Sequence, residues 1–105
     1  MFVQVVQINK LLIMEKLQKL ELMDKILREL DDLKNSQTSV LKKIAQIEAD
    51  NINLGVGLLE KKLPDIHEEV DSSLIIVTDL LQVFQEHRDK FYTDNKLAAL
   101  EDPTA

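Results

Sequence analysis

The stretch "MDKILRELDDLKNSQTSVLKKIAQIEADNINLGVGLLEKKLP", residues 23–64, decides how this chain folds. Stepping from Met23 alternately by three and four residues visits Met23, Ile26, Leu30, Leu33, Gln37, Val40, Ile44, Ile47, Asn51, Leu54 and Leu58. Only Gln37 and Asn51 interrupt an apolar seam. A spacing of about 3.5 residues keeps one stripe of a helix against a neighbouring helix, which is the condition for coiled-coil packing. With Met23 at heptad position a, Leu20, Leu27 and Leu41 occupy position e beside the seam. They widen the upstream stripe, which begins at Leu17, to suit more than one partner helix.

Two polar stretches lie in this pattern. "NSQTS" at 35–39 is rich in residues that hydrogen-bond the backbone locally and so compete with helix. Either the helix runs through it, or the chain turns there with Ser36 or Thr38 as N-cap. The heptad phase is unchanged across it, which favours one helix over 14–62, roughly 70 Å long at 1.5 Å per residue. In "NINLGVG", Asn51 falls at an a position, where a buried amide penalises wrong registers; Gln37 shares that register-setting role. Gly55 and Gly57 mark either a joint or a point of close backbone approach, or simply a weak spot near a helix end.

Pro64 is the next boundary. It lacks a backbone donor and biases Leu63 away from helix, and Asp65 with Glu68 reads as a capping pair. A second helix is expected over 65–92, with a kinked continuation of the first as the alternative. Its seam is Ile66, Val70, Ser73, Val77, Leu80, Phe84, His87 and Phe91, flanked by Leu74 and Leu81. Residues 1–13 are ambiguous, although Phe2, Val5, Val6, Asn9, Leu12 and Ile13 fit a helical face. Residues 93–105 end in a proline-containing tail expected to fray.

The expected fold is therefore all-α: one helical domain over 1–105, a long helix plus a shorter one, forming a coiled-coil hairpin that oligomerises. An up-down-up three-helix bundle is the alternative if the chain turns at 35–39. A second helix folded back from Pro64 would cover only half of the first. The stripe from Leu17 to Leu33 would then need a second copy. A dimer or tetramer is the expectation.

Composition agrees. The 105 residues are 45% hydrophobic, 30% charged and 4% aromatic, which is the profile of helical bundles and coiled coils. The net charge of −6 is unevenly spread: residues 64–105 carry three Lys/Arg against ten Asp/Glu, while residues 1–63 carry ten against nine. An acidic second half disfavours direct nucleic-acid binding, which needs clustered Lys/Arg. It is either a solvated face or a docking surface for a basic protein partner. There is no cysteine, hence no disulfide framework and no thiolate chemistry, and a reducing cytoplasm is compatible. The N-terminus lacks the basic region of a secretory signal, and no apolar run reaches membrane-spanning length.

Catalytic and metal signals are weak. "HEEVD", residues 67–71, begins like a zinc-protease motif but has Asp71 where the second His belongs, and two ligands on one helical face do not make a zinc site. The Glu-x-x-His pattern of di-iron bundles is absent. His87 lies on the seam, where a satisfied histidine is the ordinary reading and a pH switch the sharper one. Gly-Val-Gly lacks the context of a phosphate loop. No enzyme, cofactor or metal is expected.

The run "LQKLELMDKILRELDDLKNSQTSVLKKIAQIE" followed by "LLEKKLPDI" resembles small, mostly uncharacterised coiled-coil proteins of Gram-positive bacteria and their prophages. The resemblance covers about half the chain and implies helices and oligomers without a mechanism. Two functions fit: an assembly or adaptor protein that self-associates through Leu17–Leu58 and presents its acidic helix to a partner, or a small acidic regulator, inhibitor or antitoxin-like, whose apolar stripe a target protein covers.

Overall fold

The computed structural model describes the backbone of residues 2–98 and the side chains from residue 10. It contains two helices, α1 (Phe2–Leu54, 53 residues) and α2 (Gly57–Asp94, 38 residues), and no strand among the described residues. The three-helix alternative is excluded, because α1 runs unbroken through 35–39. The hydroxyls there are accommodated inside the helix: Thr38 Oγ1 donates to the Lys34 carbonyl at 2.9 Å and Ser39 Oγ to the Asn35 carbonyl at 3.1 Å. Such back-bonding satisfies the hydroxyl without breaking the helical ladder. α1 also contains neither glycine nor proline.

The expected boundaries at 62 and 65 are corrected by the position of the turn. The chain reverses at Gly55–Val56, and Pro64 lies inside α2, past its first turn. Gly55 has a φ of +71°, a left-handed conformation that glycine adopts at little cost. Its N–H donates to the Asn51 carbonyl at 2.7 Å, ending α1 with a left-handed cap. Glu60 N–H then donates to the Val56 carbonyl at 3.1 Å and begins α2. Pro64 withholds only the bond that the Glu60 carbonyl would accept. Both residues are exposed.

The chain divides into two compact units, Met1–Arg28 with Val83–Ala105, and Glu29–Gln82. Each pairs a piece of α1 with a piece of α2. In the second unit the pairing is antiparallel: Glu48 meets His67 across 19 residues of sequence and Gln37 meets Ser73 across 36, so partners separate as both helices leave the turn. Its buried residues are Ile44, Asn51, Leu63 and Val77. In the first unit Leu20 and Leu97 are fully buried, and Arg88 grips Asp24.

Leu97 corrects the expectation of a frayed tail from residue 93. Lys96 has a φ of 53°, Leu97 N–H donates to the Tyr92 carbonyl and Lys96 N–H to the Thr93 carbonyl, both at 3.1 Å. That is a Schellman cap, which turns the next apolar side chain back onto the helix. Asn95 Nδ2 adds a bond to the Phe91 carbonyl at 2.8 Å. The rest of the expected tail, 99–105, lies outside the described residues.

Candidate interaction surface

The side chains that face the partner helix differ from the a and d positions in one respect. On α1 in the second unit, the half-buried or buried residues are Leu30, Lys34, Gln37, Thr38, Leu41, Ile44, Glu48 and Asn51, which are heptad positions a and e but for Thr38 at b. On α2 they include Val70, Leu74, Val77 and Leu81, again a and e with Val70 as a. Leu27, Met23, Leu20 and Leu17 on α1, and Phe84 and Phe91 on α2, are half-buried or buried in the first unit. The seam residues Ile26, Leu33, Val40, Ile47, Leu54 and Leu58 are exposed. All but Leu58 belong to the d row of α1. This corrects the a/d reading for packing within the chain: the wide stripe holds two apolar rows beside a, and the hairpin uses e.

The polar seam residues have defined partners. Gln37 Nε2 donates to Ser73 Oγ at 2.7 Å, while Gln37 Oε1 is buried without a hydrogen bond. Asn51 finds its partners in the turn: its Nδ2 donates to the Val56 carbonyl at 3.1 Å and its Oδ1 accepts from Val56 N–H at 3.0 Å. Its amide is spent on closing the hairpin. A Cβ built on Gly55 or Gly57 meets no atom within 4 Å, so close packing explains neither glycine within the chain.

Charged contacts line the seam. His67 Nδ1 lies 3.0 Å from Glu48 Oε1. Arg88 Nε donates to Asp24 Oδ1 at 2.8 Å, its Nη1 to Asp89 at 3.3 Å, and its guanidinium stacks 4.9 Å from the Tyr92 ring centre. The Asp24 hydrogen bond, opposed by partial burial, raises the Arg88 pKa above its ordinary value. Phe84 and His87 stack with ring centres 6.0 Å apart. Among the described residues no group of three or more His, Cys, Asp or Glu side chains could hold a metal ion.

Apart from Ser73, which is half-buried against Gln37, the d rows form an exposed surface. Position d lies on the same rotational side of the inward rows on each right-handed helix. Because the two helices run antiparallel, both d rows open onto one side of the second unit. On α1 this side presents Leu33 (44% exposed), Val40 (48%) and Ile47 (39%). On α2 it presents Ile66 (49%), Leu80 (48%) and, at the adjoining g position, Ile76 (67%). α2 also carries Asp65, Glu68, Asp71 and Asp79, all exposed, and Asp65 and Glu68 line an open groove with Glu69, Ser73 and Ile76. An open groove of about 610 Å³ beside the turn, lined by Ala45, Ala49, Ile52, Leu59, Leu63 and Pro64 among others, offers only the Glu48 and Glu60 carboxylates as charged groups.

Fold and surface together define an all-helical protein of two antiparallel-paired helices with an apolar side left open. No helix among the described residues is long and apolar enough to cross a membrane. No protein-family model matches the chain, and neither a curated protein nor a solved structure is significantly similar to it.

Proposed function

We propose that this is a non-enzymatic assembly or adaptor protein of the cytoplasm that self-associates through its helices and presents the acidic side of α2 to a protein partner. The observation that carries the reading is the exposed d row of α1, which keeps heptad spacing along Leu33, Val40 and Ile47 yet stays open to solvent while the a and e rows are half-buried or buried. An apolar stripe in register over several turns, flanked by charged positions, is the surface a helix-packing partner needs. The acidic outer side of α2 supports the adaptor half of the proposal, since Asp65, Glu68, Asp71 and Asp79 are solvated and suit a basic partner.

Light scattering across a hundredfold range of concentration tests it. A dimer or tetramer of constant mass is expected. A helical chain that stays monomeric throughout would overturn the self-association.

A further inference from the structure

The open side of the second unit carries more than apolar side chains: its flanks hold charges of both signs, placed so that they answer one another between two copies. At the g positions beside the d rows stand Lys43 and Asp50 on α1, and Lys62 and Glu69 on α2. All four are exposed. The Gln37–Ser73 and Glu48–His67 contacts fix which residues are level across the hairpin. Lys43 and Glu69 both lie between those two contacts, while Asp50 and Lys62 both lie between the second contact and the turn. Within one chain these side chains sit on the outer flanks of different helices and do not meet. A second hairpin laid face to face on the first, with its turn at the same end, brings α1 of each copy over α2 of the other. Lys43 is then level with Glu69 of the second copy, and Asp50 with Lys62 of the second copy.

We infer that the d-row side of residues 29–82 is a dimer interface between two copies of this chain, with a two-fold axis along the hairpin, Leu33, Val40 and Ile47 packed over Ile66, Ile76 and Leu80 of the second copy, and Lys43–Glu69 and Asp50–Lys62 pairs closing its edges. The inference rests on the self-association proposed above and names its surface and geometry. A two-fold axis repeats each edge pair, so one chain supplies both halves of every contact. Neighbouring helices in the resulting four-helix arrangement are antiparallel, the setting in which g positions face each other. The area is adequate. Six half-exposed aliphatic side chains present roughly 500 Å² of apolar surface, near the upper end for a monomer. With the charged flanks, two copies bury roughly 1,200 Å² or more in total, within the range of specific interfaces. The acidic positions Asp71 and Asp79 stay outside the contact.

The test is a set of exposed substitutions in the full chain, read by light scattering and by circular dichroism. The wild type is expected to be a dimer. V40E/I47E is expected to be monomeric with unchanged helicity, whereas I75E, equally apolar and exposed but on the opposite side of α2, stays dimeric. K43E and E69K each weaken the dimer about tenfold by setting like charges together at two symmetric sites. The double variant K43E/E69K, and an equimolar mixture of the two single variants, regain wild-type affinity. If V40E/I47E loses helicity, the charge exchange alone decides the matter. A wild-type dimer that survives V40E/I47E as a folded protein, or a charge exchange that restores nothing, overturns this interface and leaves self-association standing. A wild-type monomer overturns both.

Discussion

Asn51 and Val56 hold each other through two hydrogen bonds across the turn, the amide donating to the Val56 carbonyl at 3.1 Å and accepting from its N–H at 3.0 Å. A side chain that grips one residue through both its backbone groups must be donor and acceptor at once. Asn51→Asp keeps the acceptor but turns an anionic oxygen toward the Val56 carbonyl. It is expected to cost about 2 to 3 kcal/mol, and Asn51→Leu about 1 to 3, since either leaves a Val56 group without its partner. Urea denaturation checks both, and a wild-type midpoint for Asn51→Asp would show that the clasp contributes nothing.

The two glycines are expected to respond with opposite sign. Gly55 holds a φ of +71°, so Gly55→Ala is strained by about 1 to 2 kcal/mol although its Cβ meets no atom. Gly57 begins α2 with the same open space and no left-handed φ. Gly57→Ala should therefore stabilise by up to about 1 kcal/mol. Thermal melts of both variants settle the pair, and equal shifts would refute it.

Pro64 sits in a helix interior, where it withholds the N–H that the Glu60 carbonyl would accept. Pro64→Ala restores that bond and is expected to stabilise by about 1 to 2 kcal/mol, less than the full interior proline cost because the unfolded chain gains freedom. A destabilised Pro64→Ala variant would mean that the ring makes packing contacts the chain depends on.

Leu97 is fully buried by the cap that follows α2. Leu97→Ala is expected to cost about 2 to 5 kcal/mol, the range for large-to-small changes in a core. A stability change below about 0.5 kcal/mol in urea would place the residue outside the folded unit.

Gln37 and Ser73 form a polar pair at the seam in which one acceptor, Gln37 Oε1, is buried unused. Replacing both members together, Gln37→Leu with Ser73→Ala, is expected to be neutral or stabilising by about 1 kcal/mol, because no orphaned partner remains. Gln37→Leu alone leaves the Ser73 hydroxyl to solvent. A double variant clearly less stable than either single one would show that the pair holds the register of the hairpin.

How much of this was legible in the sequence depends on the kind of information each feature needs. An all-helical chain with apolar residues at helical spacing follows from periodicity, and an unbroken phase through 35–39 favoured a continuous helix; that Thr38 and Ser39 bond their hydroxyls back to it is visible only in the structure. The a row, from Met23 through Leu30 and Ile44 and again from Val70 to Phe91, was readable for the same reason. Two features were not. Pro64 is the stronger breaker by propensity, yet the turn falls at Gly55, where a left-handed residue and the reach of Asn51 to Val56 coincide. The signal was present as a glycine at the end of an apolar stretch, but choosing it requires knowing that the Asn51 side chain faces the turn. The hairpin also packs through its a and e rows and leaves d open except at Ser73. An isolated helix offers both rows at equivalent spacing, and an α-helix of 3.6 residues per turn drifts against a 3.5-residue repeat. Periodicity along one strand of sequence determines that a stripe is apolar; only the antiparallel partner, by its level and rotation, decides which edge of that stripe is buried and which is left for another molecule.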